Sequence, residues 1–265
     1  MEVTVIEVHG TSDLKRWVEL PNALYRDDAN YIPQILREER DFFSPAKNPS
    51  FKISKTKLLL ARSGERVVGR ICGIIHSLET RKLGYMRGRF GWFESVEDPD
   101  VAVALIGYLE KWFIAEGCRE MTGPHGFGDL DPEGMLVEGF DALPTIAGSY
   151  NKPFYPVMIE ALGFQKDVDY IETRFEFPME MPSLFQMFAK KVMPAAEAEG
   201  YRLLEGLTKK GIKEYSGQFW DLLEASFEHL YGVTPLTDDQ KAFYEKKYFG
   251  FIDPRFMQLV VDGSG

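Results

Sequence analysis

The stretch "FGWFESVEDPDVAVALIGYL", residues 90–109, runs an aromatic strand pattern directly into a helical one. Asp98 suits the cap of that helix and Pro99 its first position, where a missing N–H does no harm. Val101, Leu105, Tyr108, Leu109 and Trp112 then fall on one face, so the spacing predicts a helix to about Gly117. A strand-to-helix junction of this kind often holds a cofactor's phosphates, because the free N–H groups and the helix dipole attract anions. This one carries Glu97, Asp98 and Asp100 and no basic residue.

Outward from that junction the pattern extends in both directions. Upstream, "KLLLARSGERVVGRICGIIH" (57–76) predicts a hairpin turning at Ser63-Gly64-Glu65, and "RGRFGWFESV" (87–96) adds a third strand. Before it, "VTVIEV" (3–8) alternates as a strand. A helix follows with Ser12 or Thr11 as cap and Leu14, Trp17 and Val18 on its apolar face, then a second short helix in "PQILREERDFF". Downstream, residues 119–126 begin as a short buried strand, and a Gly- and Pro-rich segment leads to a helix at 153–164. Loops of that length are usually functional. "DYIETRFEFP" (169–178) alternates strictly and predicts another strand.

After a proline-bounded break near 178–183 the pattern restarts. Residues 200–207 read as a strand, 209–232 and 237–251 as helices, and "RFMQLVVDGSG" (255–265) as a strand entering a turn. "LLLARSGERVVG" and "LVVDGSG" are the same event at equivalent places in two halves. An unpaired apolar strand is unfavourable. The expectation is a longer parent chain, or pairing of this edge with the first half or with another copy in a homo-oligomer.

The totals fit an ordinary globular protein. The 265 residues are 45% hydrophobic, 27% charged and 14% aromatic, with a net charge of −10. Such a balance gains nothing from counterion release, which argues against nucleic acid as a partner. No apolar run approaches the ~18 residues of a membrane span, and the N-terminus has no signal-peptide pattern, so no membrane partner is expected. Cys72 and Cys118 sit in apolar settings and read as reduced core thiols, which points to the cytoplasm. The four histidines are scattered and no metal-ligand spacing occurs, so no metal is expected.

The order β-α-α-β-β-β-α-β-α-β, with "YPVMIEALGF" as a late helix closing on Leu-Gly-Phe, resembles the GCN5-related N-acetyltransferase (GNAT) superfamily. "LYRDDANYIPQILREERDFFSPAKNPSF", "GRFGWFES", "MLVEGFDALP" and "YNKPFYPVMIEALGF", in that order, are similar to a bacterial group of GNAT-like proteins of uncertain function. The resemblance implies an α/β fold with a mixed central sheet flanked by helices. It assigns residues 1–180 to one GNAT-like domain and 181–265 to the start of a second, tandem one.

It also implies a chemistry: transfer of an acyl group from acetyl-CoA or another acyl-CoA to a small-molecule amine. Glu94, near the end of its strand, would be the general base. The late-helix acid of the family is a Tyr at the position of Ile159, and Tyr155, one turn earlier on the same face, would substitute. Ser95 and Val96 of the turn, with Asn151 ahead of the late helix, would contact the cofactor. The turn departs from the family's Gly-rich pattern: it has no Gly, Pro99 gives no N–H, and three carboxylates stand where a diphosphate would. A like-charge pair costs about 1 kcal/mol at ~4 Å even in water, against about 0.3–1 kcal/mol from the helix end. The acids Asp129, Asp131, Glu133, Glu138 and Asp141 lie on the long loop ahead of Tyr150; Glu138, Asp141 and Tyr150 would favour a cationic acceptor. The rival reading is a non-catalytic scaffold or sensor with a degenerate coenzyme A site. A third, aminoacyl transfer, is opposed by the acidic balance.

Overall fold

The computed structural model describes residues 2–146, 148–249 and 252–263. It divides into two compact units, residues 1–170 with 227–240, and 171–226 with 241–265.

The first unit is built on a five-stranded sheet in the order β1-β2-β3-β4-β5. These strands are Thr4–Glu7, Ser54–Ser63, Arg66–His76, Gly88–Ser95 and Met121–Thr122. All neighbours are antiparallel except β4 and β5, which run parallel. The β2–β3 hairpin turns at Gly64 with φ of 58°, a conformation that suits a residue without Cβ.

Helix α1 (Gly10–Leu24) and helix α2 (Leu36–Phe42) cover one face, where Trp17, Phe43 and Phe127 are buried. The Phe43 ring meets Trp17 at 4.3 Å and Trp92 at 4.9 Å, both edge to face. After β3 comes the short α3 (Ser77–Leu83), and after β4 the long α4 (Pro99–Glu116). Helix α4 packs on the opposite face and buries Val101, Leu105, Leu109 and Phe113, joined by α5 (Phe154–Ala161).

Three glycines of the sheet, Gly69, Gly73 and Gly88, lie beneath α4 and let it approach closely. A Cβ on Gly69 would stand 2.6 Å from Val101, and one on Gly88 2.5 Å from the Phe113 ring. Gly88→Ala is therefore expected to lower stability by about 1–3 kcal/mol through overpacking, read as the urea midpoint at unchanged m-value.

Where strand alternation breaks, the site begins. Arg70 pairs with Glu94 and Cys72 with Gly91, so Ile71 faces two residues, Trp92 and Phe93. This is a β-bulge, and Trp92 adopts φ of 48° within it. The ring contacts of Trp92 with Phe42, Phe43 and Phe127 hold that unfavourable backbone in place.

Several expectations need correction. Helix α1 starts at Gly10, one residue before Thr11; His9 is its cap, and the Asp13 carboxylate accepts the His9 N–H at 3.2 Å. Helix α3 was hidden because its cap is His76, whose Nδ1 accepts the Glu79 N–H at 3.2 Å. Histidine is not a usual cap, so no N-terminal signal stood in the sequence. Residues 169–178 form no strand. Alternation makes a segment fit to pair but supplies no partner, and β5 pairs with β4 over only two residues.

Residues 227–240 belong to the first unit. Lys82 Nζ donates to the Glu228 and Val233 carbonyls at 2.6 and 2.8 Å, and Gln240 Nε2 donates to Ser50 Oγ at 3.1 Å.

The second unit contains α6 (Ser183–Ala198), β6 (Arg202–Leu203), α7 (Lys209–Glu214), most of α8 (Ser216–Phe227), the end of α9 (Asp238–Tyr244) and β7 (Val260–Val261). Strand β6 pairs antiparallel with β7, as β1 does with β2. Trp220 is buried and donates from Nε1 to Glu245 Oε1 at 2.9 Å. Gly250, Phe251, Ser264 and Gly265, parts of the expected last helix and last strand, lie outside the described residues.

Candidate active site

Strands β4 and β5 separate soon after they meet. Their pairing covers Gly88–Met121 and Arg89–Thr122, and His125 N–H adds one bond to the Phe90 carbonyl at 2.7 Å. Beyond that point the chain after β5 leaves in the long loop, and no described strand pairs with that edge of β4 as far as Ser95.

Glu94 sits at this opening. Its Oε2 accepts the Tyr25 hydroxyl at 2.7 Å and the Tyr155 hydroxyl at 2.9 Å. The two hydroxyl oxygens are themselves 2.8 Å apart. Tyr155 also accepts the Ser95 N–H at 2.9 Å and lies 3.1 Å from the Ser95 carbonyl oxygen. Arg70, buried, stacks on the Trp17 ring at 4.2 Å and donates to the Trp17 carbonyl at 3.0 Å. Its Nη2 reaches to 3.8 Å from Glu94 Oε1, too long for a hydrogen bond. Thus Oε2 is fixed, while Oε1 has only a distant cation, and 12% of the side chain remains exposed.

Burial pushes the Glu94 carboxyl above the usual carboxylate range, opposed by the Arg70 charge and the two tyrosine hydrogen bonds. Burial, with the Glu94 charge, raises both tyrosines well above their ordinary value. A carboxyl with an elevated pKa beside two hydroxyls is a competent proton acceptor near neutral pH.

Aromatic side chains form the rim. Tyr25 contacts Tyr31 at 4.7 Å and Tyr150 at 5.6 Å. The Tyr150 hydroxyl donates to Asp28 Oδ2 at 2.6 Å, and Lys152 pairs with the same carboxylate. Lys152, then Tyr150, hold Asp28 down at about 2. Asn30 Nδ2 adds a bond to the Phe140 carbonyl at 3.2 Å. The α1–α2 connection and the long loop are therefore fastened to each other beside Glu94.

Of the residues expected from sequence, Glu94 and Tyr155 come into direct contact. Ser95 lies at the same place, its N–H taken by Tyr155. The Val96 N–H bonds the Val68 carbonyl at 2.9 Å. Asn151 staples the long loop: its Oδ1 accepts Leu136 N–H at 2.7 Å, and its Nδ2 donates to the Leu136 carbonyl at 3.1 Å. Tyr150 is on the rim, while Glu138 and Asp141 are exposed. At the α4 terminus, Asp98 caps with Oδ1 accepting the Asp100 N–H at 2.9 Å, and its carbonyl accepts the Val101 N–H at 3.1 Å. The Asp100 and Val101 N–H groups of that terminus are thus bonded by Asp98 itself.

Sequence reasoning missed Tyr25 and Arg70. Arg70 had a signal, as the one charge inside "VVGRICGII": such a residue is almost never fully buried unless paired. Tyr25 had only its place on the apolar side of α1.

The acidic loop behaves unevenly. Asp131 is buried and accepts the Phe127 N–H at 2.9 Å. Glu133 Oε2 lies 3.3 Å from His125 Nε2, and burial, with the Asp129 charge, raises Glu133 to about 7. His125 is held neutral, down at about 2, by burial and then by Arg89. Because the folded pKa of Glu133 lies above its unfolded value, its protonated form favours folding. That contribution is complete below about pH 4.5 and is lost as pH rises through about 7. Glu133→Gln is expected to match the parent protein at pH 4 and to exceed it at pH 8 by about 1–2 kcal/mol after solvent screening, measured by urea denaturation.

Among the described residues no group of three or more His, Cys, Asp or Glu side chains is arranged to hold a metal, and no helix is long and apolar enough to cross a membrane.

No family model matches the chain. It is 28% identical to Protein YghO of Escherichia coli over 236 residues, which are 87% of this chain and 58% of that protein. It is 27% identical over 265 residues to the bacterial ceramide synthase of Caulobacter vibrioides, covering 99% of this chain and 68% of that one. The chain thus spans roughly three fifths to two thirds of these relatives' lengths. Among solved structures, a ribosomal-protein-alanine N-acetyltransferase of Brucella melitensis covers 67% of this chain and all of its own length, at 14% identity and a TM-score of 0.40. A predicted acetyltransferase of Clostridium acetobutylicum with acetyl-CoA covers 65% and 96%, at 11% identity and a TM-score of 0.39.

Proposed function

We propose, for a chain whose first unit has the GNAT fold, that the opening beside β4 is the site of an N-acyltransferase. The acyl group moves from a thioester to an amine. The observation that carries the reading is the contact of Glu94 with Tyr155, a base and an acid within one hydrogen bond, where β4 and β5 part. Glu94 Oε2, the oxygen that bonds the Tyr155 hydroxyl, receives the amine's proton. Tyr155 protonates the departing sulfur. The aromatic rim of Tyr25, Tyr31 and Tyr150 shields the site from water. Acyl-CoA, acetyl-CoA included, is the first donor to test.

The name of the Caulobacter relative supports a narrower acceptor. A ceramide is the amide of a long-chain amino alcohol, so such amines head the acceptor set. The residues of 181–265 outside 227–240 belong to this reading as part of a second GNAT-like domain, supported by the antiparallel pairing of β6 with β7, which matches that of β1 with β2.

The test incubates the protein with acyl-CoA and a panel of short and long-chain amines and follows free thiol and amide by mass spectrometry. Amide formation supports the reading. With no amide, and no thermal shift at millimolar donor, the reading fails, since saturation at 100 times Kd adds ~2.7 kcal/mol to stability.

A second reading is favoured by one observation: the α4 terminus is capped by Asp98, and Tyr155 already takes the Ser95 N–H. On it this unit is a non-catalytic scaffold. Glu97→Lys combined with Asp98→Gly separates the two. If repulsion is the obstacle, coenzyme A affinity rises about tenfold or more in calorimetry, in line with ~1 kcal/mol per relieved like-charge pair. Unchanged affinity moves the obstacle to the shape of the opening.

A further inference from the structure

The three oxygens at the centre of the site form a closed figure. Tyr25 to Glu94 is 2.7 Å, Tyr25 to Tyr155 is 2.8 Å, and Tyr155 to Glu94 is 2.9 Å. Each side has hydrogen-bond length, and each needs one hydrogen. The two hydroxyls supply two. An ionised carboxylate supplies none, so one side is then a contact between lone pairs. A proton arriving on Glu94 Oε2 supplies the third, and within the ring every oxygen then gives one hydrogen bond and receives one, while Tyr155 also accepts the Ser95 N–H.

We propose that Tyr25, the C-cap of α1, is a working member of the site, closing a ring through which a proton accepted at Glu94 reaches the Tyr155 hydroxyl. Base and acid are one relay with Tyr25 as the link. The relay rests on the acyltransfer reading; the ring does not. For a neutral amine and an acyl thioester the step balances. The C–N bond forms and the C–S bond breaks. The amine proton passes to Glu94, and the Tyr155 proton passes to sulfur. Tyr25 restores Tyr155, and Glu94 restores Tyr25. The ring ends as it began, with amide and thiol as products.

The surroundings favour this direction. When Tyr155 gives up its proton, the Ser95 N–H at 2.9 Å and the Tyr25 hydroxyl both point at the oxygen left behind. The charged and titratable groups that face Glu94 are Arg70 from β3, Tyr25 from the C-cap of α1, Tyr31 from the following connection and Tyr155 from α5. Arg70, at 3.8 Å, limits how strongly the carboxyl retains its proton. Tyr25 acts through Glu94 and Tyr155, so it is a positioning residue.

The test does not depend on the substrate. Difference infrared spectroscopy follows the Glu94 carboxyl through a pH titration, with Glu94→Gln identifying its band. Tyr25→Phe and Tyr155→Phe each remove a donor to the carboxylate and should raise the midpoint by about one to two pH units. The double variant should shift by clearly less than the sum, because each hydroxyl strengthens the other. A midpoint unmoved in Tyr25→Phe, or strictly additive shifts, would overturn the ring. Should either variant fail to fold, 3-fluorotyrosine incorporation keeps every hydroxyl and makes it a stronger donor. The midpoint then moves down, and a fixed midpoint overturns the ring. In turnover, Tyr25→Phe should lower kcat about 10- to 100-fold, a share of the usual acid–base contribution, with KM for the donor unchanged. A loss confined to KM overturns the relay. Coupled titrations without amide formation from any amine leave the ring standing and remove the acyltransfer reading. Amide formation with uncoupled titrations does the reverse.

Discussion

Replacing Arg89 by Met is expected to lower the stability of the fold by about 3–5 kcal/mol at pH 7, the range for breaking a buried ion pair on one side. Arg89 of β4 is fully buried, and Glu79 of α3 nearly so. The guanidinium holds the carboxylate at both oxygens, Nε to Oε2 at 2.8 Å and Nη2 to Oε1 at 2.6 Å. It also donates to the Gly232 carbonyl at 2.8 Å and lies 3.1 Å from His125 Nε2. One side chain thus joins α3, the loop after β5 and the 227–240 segment. Removing it leaves Glu79 buried with Arg87 as its partner and leaves the Gly232 carbonyl without its donor.

The pH dependence identifies the mechanism. Burial pushes the Glu79 carboxyl up, but the Arg89 hydrogen bond and charge, with Arg87, outweigh it and hold the group below its ordinary value of 4.5. A depressed folded pKa contributes stability above pH 4.5 that is lost as pH falls through the folded value. The Arg89→Met penalty should therefore shrink in strong acid, as protonation neutralises Glu79 in both proteins. Adding Glu79→Met to Arg89→Met should recover much of the loss at pH 7, since the buried carboxylate is gone and Arg87 keeps Glu120 at 3.6 Å. Urea midpoints at pH 7 and pH 3 measure both effects. A penalty below about 1 kcal/mol would mean that water or Arg87 compensates fully, as at an exposed pair.

The parts of this fold that could be read from sequence are those whose cause is local. Asp98 and Pro99 announce α4 because cap and first-turn preferences act within a few residues. The β2–β3 hairpin is legible because Gly64 supplies the turn. Glu94 and Tyr155 could be named together only through a resemblance, since 61 residues separate them and no local rule brings them to one place. What stayed hidden depends on partners remote in sequence. The bulge at Trp92 is held by the rings of Phe42 and Phe43 at the end of α2 and of Phe127 from the loop after β5, partners that no local pattern in β4 announces. Tyr25 reaches Glu94 across 69 residues, and at the C-cap of α1 its side chain reads as one more apolar contact. Asn151, which the resemblance assigned to the cofactor, bonds the backbone of Leu136. Alternation at 169–178 could not show whether a strand edge would be there to receive it.

Glu94→Gln should reduce amide formation about 10²–10⁴-fold, the usual contribution of a positioned acid–base group. The substitution keeps the shape of the side chain. Its amide oxygen can still accept the Tyr25 and Tyr155 hydroxyls that now bond Oε2 at 2.7 and 2.9 Å. What is lost is the capacity to take a proton, and with it the opposite charge 3.8 Å from Arg70. The loss should fall on kcat, with KM for the donor little changed, because the group acts in the transition state rather than in binding. In the parent protein the rate should rise with pH through a midpoint above 4.5, since burial raises the Glu94 pKa and the base is active once ionised. In Glu94→Gln that rise should vanish, and the residual rate should follow the ionisation of the amine alone. A variant that retains the parental rate and the acidic limb would mean that Glu94 holds Tyr25 and Tyr155 in place without handling a proton. The base would then have to be sought elsewhere on the rim, and Asp28, held at about 2 by Lys152 and Tyr150, is too weak a base to replace it near neutral pH.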